Sequence, residues 1–98
     1  MKSLAIELGS YNVKVNAICT GSVEGERLEK VIKVEVKSKG MTRDKIYQAY
    51  LEGTSTKKLI HPNDIADMAL FLSSSKSRLI SGQVIAVDGN TEVPDPKF

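Results

Sequence analysis

The sequence predicts an α/β protein whose parallel β-sheet is covered by helices. Two apolar runs, at residues 13–19 and 84–87, predict strands, and the long stretch between them carries helical periodicity. Strands joined by helical crossovers of this length pair in parallel, with a right-handed connection. The composition fits one globular unit, because the 98 residues are 41% hydrophobic and 27% charged.

The chain opens with a predicted helix at residues 3–8. These residues are good helix formers with apolar side chains on one face, and Gly9 is placed to end the helix. No capping residue precedes them, so the pattern begins as though earlier helical turns belonged before Met1.

The first predicted strand, residues 13–19, reads VKVNAIC. It alternates at first and then becomes apolar throughout, which is typical of a strand covered on both faces. Cys19 lies in this run, and we expect it to be a buried and unreactive thiol. The small-residue loop TGSVEG follows, at residues 20–25.

Two helices are predicted between this loop and Gly53. Residues 27–39 are charged, with apolar positions near helical spacing, and Gly40 is placed to end the helix. Thr42 is placed to cap a second, shorter helix that Gly53 ends. Its apolar side carries aromatic rings, which we expect in core or subunit contacts. That side is formed by Ile46, Tyr47 and Tyr50.

Another helix is predicted to start at Pro62, which suits a first helical position, while Asp64 suits the first turn. Apolar residues recur at i, i+3, i+4 and i+7, and further apolar neighbours widen this stripe. We therefore expect a helix that is buried on more than one side. The apolar residues are Ile65, Ala66, Met68, Ala69, Leu70, Phe71 and Leu72.

The second strand, residues 84–87, follows Gly82 and is apolar throughout, which again predicts cover on both faces. Asp88 and Gly89 break it, and residues 91–98 (TEVPDPKF) are predicted to form an extended tail. Two strands and these helices cannot cover both faces of a sheet by themselves. Either the chain associates with a second copy or it is one part of a larger parallel sheet, which the uncapped opening helix favours.

Charge and the usage of cysteine and histidine exclude several function classes. The net charge is +2, with 14 basic and 12 acidic residues well mixed, so we expect neither nucleic-acid nor membrane binding. No run approaches the ~20 apolar residues of a membrane span, and residues 1–9 lack a signal-peptide pattern. With one cysteine, and with His61 beside a helix start, we expect no metal site and no internal disulfide. This usage indicates a reducing, cytoplasmic location.

Two blocks of the sequence carry a specific resemblance. Residues 3–25 read SLAIELGSYNVKVNAICTGSVEG, and residues 61–90 read HPNDIADMALFLSSSKSRLISGQVIAVDGN. In this order and separation they resemble the C-terminal part of the short-chain dehydrogenase/reductase family, and the loop is similar to that of members labelled 3-oxoacyl-carrier-protein reductase-like. The residues in register with the family pattern are Gly9, Asn16, Gly21, Pro62, Asp64, Gly82, Asp88 and Gly89.

The resemblance implies a fold and an activity. Residues 1–98 would be a single partial domain, the C-terminal portion of a doubly wound, Rossmann-type sheet, and residues 24–53 would be a helical lid over the substrate. The implied activity is hydride transfer between NAD or NADP and a small carbonyl or alcohol substrate, in a homo-oligomer. In the family, the helix at residues 3–8 and the strand at residues 84–87 often form the subunit contacts.

The resemblance also implies cofactor-binding residues. By position, Thr20, Gly21, Ser22 and Val23 correspond to the loop that contacts the nicotinamide, largely through backbone groups. Gly21 would let the backbone approach the ring closely, and Val23 would add an apolar contact. Thr20 departs from the family's proline and restores a backbone N–H. Gly25 departs from a hydroxyl-bearing residue, which removes a side-chain contact to the cofactor phosphate.

The family's catalytic residues have no counterpart in these 98 residues. There is no catalytic Ser, Y-x-x-x-K pair or G-x-G-x-x-G turn, and none of Tyr11, Tyr47 and Tyr50 has a Lys four residues on. Without them, hydride transfer would lack a proton source. We therefore expect an inactive fragment of an oxidoreductase that binds NAD or NADP weakly or not at all. The alternative is a stand-alone oligomerisation or binding module derived from the family.

Overall fold

The computed structural model describes residues 1–91, so the predicted tail at residues 91–98 lies, apart from Thr91, outside the described residues. The helices, in chain order, are α1 (Lys2–Gly9), α2 (Glu26–Lys39), α3 (Arg43–Glu52) and α4 (Pro62–Ser73). Strand β1 (Ala17–Thr20) follows α1, and strand β2 (Val84–Val87) follows α4 and a 3-10 turn at Ser75–Ser77.

The two strands form a parallel sheet, which confirms the predicted α/β class. Ala17 pairs with Val84 and Thr20 pairs with Val87, so the strands match residue for residue and end at the same edge. All three long helices lie between the strands in sequence, as the crossover pattern predicted.

Strand β1 is shorter than the predicted strand at residues 13–19, because the residues before Ala17 contact the turn that precedes β2. The N–H of Val15 donates to Ser81 Oγ at 3.1 Å, and its carbonyl accepts from the N–H of Gly82 at 2.7 Å. The Asn16 side chain donates to the carbonyl of Ile80 and accepts from the N–H of the residue before β2. These irregular contacts replace the ladder over residues 13–16.

Three helix ends follow the predicted signals, whereas α1 runs through Gly9, its predicted stop, and has Ser10 as its C-cap. The Thr42 hydroxyl accepts from the N–H of Lys45 and caps α3, and Gly40 ends α2 in a left-handed conformation with φ of 64°. Pro62 is the first residue of α4, whose N-terminus is closed by a reciprocal capping box between His61 and Asp64. Helix α1 begins without a side-chain cap, as expected.

Helices α2 and α3 pack against each other as a hairpin, residues 26–52, here called the helical hairpin. Ile32 of α2 and Ile46 of α3 are fully buried. Tyr47 and Tyr50 are only half-buried, and their hydroxyls donate to Glu24 and Glu35 respectively. Of the predicted apolar side of α3, Ile46 is therefore core, whereas the two rings lie at the surface of the hairpin with polar contacts.

The sheet is much less covered than its sequence predicts. Cys19 is exposed, so the predicted buried thiol is wrong, and Val84 is 59% exposed, so the cover predicted for both faces of its strand is not supplied by these residues themselves. On α4, Leu70 is 70% exposed and Phe71 is also exposed, which contradicts the predicted burial on more than one side. Helix α4 contacts β1, but these side chains of the sheet and of α4 stay exposed. The radius of gyration is accordingly 17.1 Å, against about 13 Å for a compact domain of this length.

Helix α4 is anchored by one lysine that lies before β1. The Lys14 ammonium donates to the carbonyls of Leu72 and Ser77 and to Ser77 Oγ, at 2.8–3.2 Å. Leu72 lies in the last turn of α4, where a positive charge is favourable because the helix dipole is negative at that end. Lys14 thus holds the C-terminal end of α4 close to the residues that precede β1.

Candidate functional site

The four residues predicted to face a cofactor lie together at the carboxyl end of the sheet. Thr20 closes β1, and Gly21, Ser22 and Val23 follow it directly. The carboxyl end of the neighbouring strand β2 lies beside them, because the two strands end in register. Open α/β sheets bind ligands at this edge.

Gly21 is closely packed against other residues of the protein itself. Its N–H donates to the carbonyl of Val87 at 3.4 Å, which extends the ladder by one residue. A Cβ at this position would lie 3.1 Å from Cβ of Asp88 and 3.2 Å from Oγ1 of Thr91, both tighter than ordinary contact. The close approach that glycine permits here is therefore to the chain that leaves β2.

Val23 is fixed by a parallel bridge to Ile60, the residue before the α4 cap. The N–H of Ile60 donates to the carbonyl of Ser22 at 3.1 Å, and the N–H of Glu24 donates to the carbonyl of Ile60 at 2.8 Å. In this pattern the N–H and C=O of Val23 itself point away from Ile60. Among residues 1–91 neither group has a hydrogen-bond partner, so Val23 offers a donor and an acceptor side by side.

The loop and the first turns of α2 enclose an open cleft of about 390 Å³. All four predicted residues contribute to it, together with Leu28 and Val31 of α2, which give it an apolar side. Leu28 and Val31 are among the apolar positions near helical spacing in the predicted helix at residues 27–39, but that pattern does not assign them to the site. Their i, i+3 spacing directly after the loop is the signal that could have found them.

The two departures from the family pattern have different structural consequences. Gly25 is the N-cap of α2 with φ of 152°, a conformation that side-chain-bearing residues rarely adopt, so glycine is required there by the backbone. Thr20 lies in β1, and the ladder bonds to β2 are made by its neighbours, as the Gly21 bond to Val87 shows. The N–H of Thr20 therefore points toward the opposite edge of β1.

A cluster of polar side chains joins the end of this loop to the helical hairpin. Tyr47 Oη donates to Glu24 Oε1 at 2.6 Å, and the Arg43 guanidinium lies 4.9 Å from the centre of the Tyr47 ring while pairing with Glu29. The hydrogen bond to Glu24, followed by burial, raises the pKa of Tyr47. The hydrogen bond from Arg43 lowers the pKa of Glu29.

The chain that returns from the helical hairpin is fastened to the end of β2. The N–H of Ser55 donates to the carbonyl of Asn90 at 3.1 Å, and the N–H of Thr56 donates to the carbonyl of Gly89 at 3.2 Å. Both connections of the hairpin therefore meet at the carboxyl edge of the sheet, one at Val23 and the other here.

Within residues 1–91, no group of three or more His, Cys, Asp or Glu side chains is arranged to bind a metal ion. None of the helices in the same range combines the length and the apolar character that crossing a membrane requires.

Comparison with known proteins identifies the family. A family model described as enoyl-(acyl carrier protein) reductase matches residues 1–90. The chain is 34% identical over 89 residues to 7alpha-hydroxysteroid dehydrogenase of Escherichia coli (strain K12), covering 91% of this chain and 31% of that protein. It is 35% identical over 88 residues to 3-oxoacyl-(acyl-carrier-protein) reductase FabG of Chlamydia muridarum, covering 90% of this chain and 31% of that protein.

Solved structures agree with these sequence matches. A short chain dehydrogenase family protein from Francisella tularensis superposes with a TM-score of 0.84 at 30% identity, covering 90% of this chain and 36% of that one. L-sorbose reductase from Gluconobacter frateurii, complexed with NADPH and L-sorbose, superposes with a TM-score of 0.82 at 27% identity, covering 93% of this chain and 35% of that one. The chain thus spans about a third of the length of these relatives. It belongs to the short-chain dehydrogenase/reductase family and corresponds to the C-terminal part of that family's Rossmann-type fold.

Proposed function

We propose that this chain supplies the nicotinamide-facing loop of an NAD(P)-dependent oxidoreductase that interconverts a carbonyl and an alcohol. The observation that carries the proposal is that Val23, which lines the cleft, has a backbone N–H and C=O without a hydrogen-bond partner among residues 1–91. Relatives described as complexed with NADH or NADPH support a nicotinamide cofactor.

The residues present fit this cofactor. A carboxamide has one carbonyl acceptor and one NH₂ donor, which match the N–H and C=O of Val23. Two parallel hydrogen bonds would fix which face of the ring is offered, while Leu28 and Val31 would give the ring an apolar neighbour and exclude water. When bound, the nicotinamide supplies or accepts the hydride.

The chain as given is proposed to be catalytically inactive, because none of its three tyrosines is a suitable proton donor. The reaction needs a general acid whose pKa lies near the working pH. Tyr47 is engaged by Glu24, and this contact moves its pKa in the opposite direction. The Tyr50 hydroxyl donates to Glu35, and the third tyrosine, Tyr11, lies in the turn after α1.

Nuclear magnetic resonance of the isotope-labelled 98-residue chain tests this proposal. Added NADH or NADPH should shift the amide signals of residues 20–23, and no ketone or alcohol in a panel should be turned over. The variant Val31→Gln should weaken the shifts, whereas the matched control Val34→Gln, on the same helix but outside the cleft, should not. A folded chain whose loop signals stay unchanged would contradict cofactor binding, and clear turnover would contradict inactivity.

An oligomerisation module is the second candidate, and exposed apolar side chains favour it. Ile6 of α1 is 82% exposed and Val84 of β2 is more than half exposed. Helix α1 lies beside the turn that precedes β2, because the Lys2 ammonium donates to the carbonyl of Gly82 at 2.9 Å. A homo-oligomer with cooperative thermal unfolding would support this function, and a monomer without a sharp transition would exclude it.

For either function we propose that the protein is located in the cytoplasm, since its one cysteine allows no internal disulfide.

A further inference from the structure

We propose that Tyr47 is a positioning residue for the loop at residues 20–23 and that it acts through Glu24. The role of the loop in binding nicotinamide rests on the function proposed above. Tyr47 belongs to α3, whereas Glu24 directly follows Val23, so the 2.6 Å hydrogen bond between them joins the helical hairpin to the loop.

Glu24 is fixed at both its backbone and its side chain. Its N–H donates to the carbonyl of Ile60, a residue only 6% exposed, and its carboxylate accepts from the Tyr47 hydroxyl. The Glu24 nitrogen and the Val23 carbonyl belong to the same planar peptide group, and this carbonyl is the proposed acceptor for the carboxamide. A side chain that restrains Glu24 therefore restrains the geometry of that carbonyl.

The Tyr47 ring has a firm support on the hairpin side. Its neighbour in sequence, Ile46, is fully buried, α3 packs against α2, and α3 starts at the Thr42 cap. The Arg43 guanidinium lies over the ring at 4.9 Å and is itself paired with Glu29 of α2. The hydroxyl is thus presented by a structure that involves both helices of the hairpin.

The consequence is a coupling between the hairpin and the loop. A movement of the helical hairpin relative to the sheet must either carry Glu24 with it or break the hydrogen bond. In the first case the Val23 backbone is displaced, and in the second case the loop loses its side-chain restraint. Tyr47 therefore makes the loop geometry depend on the position of the hairpin, beyond the main-chain bridge at Ile60.

Amide hydrogen exchange of the 98-residue chain tests the coupling. Tyr47→Phe should speed exchange at the Glu24 amide about 2- to 10-fold, which corresponds to one lost hydrogen bond. Tyr11→Phe is the matched control, because the Tyr11 hydroxyl makes no hydrogen bond within residues 1–91, and it should leave this rate unchanged. Glu24→Ala should speed exchange to the same extent. Glu24→Gln should speed it less, because the amide oxygen can still accept the hydrogen bond from Tyr47. Exchange in the double variant Glu24→Ala with Tyr47→Phe should be no faster than in either single variant.

Two outcomes would overturn the proposal. One is an unchanged Glu24 rate in Tyr47→Phe, and the other is an equal acceleration at Ile46, which would show general destabilisation instead of a local effect. NADH-induced shifts in the same samples separate this inference from the proposed function. If NADH causes no shifts in the wild-type chain, the proposed nicotinamide binding is wrong, but the exchange rates still test the coupling between the hairpin and the loop. If NADH causes shifts and Tyr47→Phe leaves them unchanged, only the positioning role of Tyr47 is wrong.

Discussion

Replacement of Gly89 by alanine should destabilise the protein through two separable effects. Gly89 has φ of 65°, and the left-handed region costs a side-chain-bearing residue about 1–2 kcal/mol. The new Cβ would also lie 2.6 Å from Thr56 Oγ1, so the threonine must rotate and give up its 3.4 Å contact with the Gly89 carbonyl. An exposed hydrogen bond adds about 0.5–1 kcal/mol, which brings the expected loss to about 1.5–3 kcal/mol.

The chain offers a matched control in Gly40, which has φ of 64° with nothing within 4 Å of the added Cβ. Gly40→Ala should therefore show the conformational cost alone, about 1–2 kcal/mol in the free energy of unfolding by urea titration. In a Thr56→Ala background, Gly89→Ala should fall to that same value because the clashing oxygen is gone. If Gly89→Ala costs no more than Gly40→Ala in the original background, the steric part of the reasoning is wrong.

Three further changes test other contacts. Lys14→Met should lower the free energy of unfolding by about 1–3 kcal/mol, since three hydrogen bonds from its ammonium are lost; a urea titration showing no loss would contradict the anchoring role. The hydrogen bond to Glu24 raises the pKa of Tyr47, so this bond stabilises the protein fully below the ordinary pKa of 10.0 and ceases to do so as pH rises through the pKa of the folded state. The tyrosinate absorbance of the wild type minus that of Tyr47→Phe should show this titration above pH 10. The hydrogen bond from Arg43 lowers the pKa of Glu29, so this ion pair stabilises the protein above the ordinary pKa of 4.5 and ceases to do so as pH falls through the pKa of the folded state. The free energies of unfolding of wild type and Glu29→Gln should therefore converge at acid pH.

Features that depend on neighbouring residues in sequence were predictable. The Thr42 cap, the Gly40 stop and the Pro62 start are each decided within one helical turn, and all three are confirmed. The second strand, residues 84–87, also has its predicted bounds, because Gly82 and the Asp88–Gly89 pair punctuate it on both sides.

Burial was not predictable, because it depends on which surfaces the chain places opposite one another. The apolar runs at Cys19 and Leu70 are typical of residues packed inside a layered sheet, yet both residues are exposed. The chain covers about a third of its relatives' length, so the same pattern can describe a sheet larger than the one these residues form. The start of β1 escaped prediction for a related reason, since the partners of Asn16 are more than sixty residues away.

The candidate site divides in the same way. The loop at residues 20–23 is contiguous, so a motif could indicate it, and the structure does bring its four members to one cleft. The partners that shape it come from elsewhere: Ile60 supplies the bridge, and Tyr47 supplies the contact to Glu24. No local pattern relates these residues to the loop, because the helical hairpin that separates them in sequence has first to fold back on itself.

Gly21 shows that a residue can match a ligand-binding motif for reasons that precede the ligand. The resemblance implied that its missing side chain makes room for a nicotinamide ring, but the space that a Cβ would need is already limited by Asp88 and Thr91. Any other residue at this position would force Asp88 or Thr91 to shift by a few tenths of an ångström, so glycine suits the close ends of β1 and β2 whether or not a cofactor binds. Val23 is different, because no described partner uses its N–H and C=O. Of the four predicted residues, the backbone of Val23 thus carries the argument for binding, and the fit of Gly21 to the motif adds little to it.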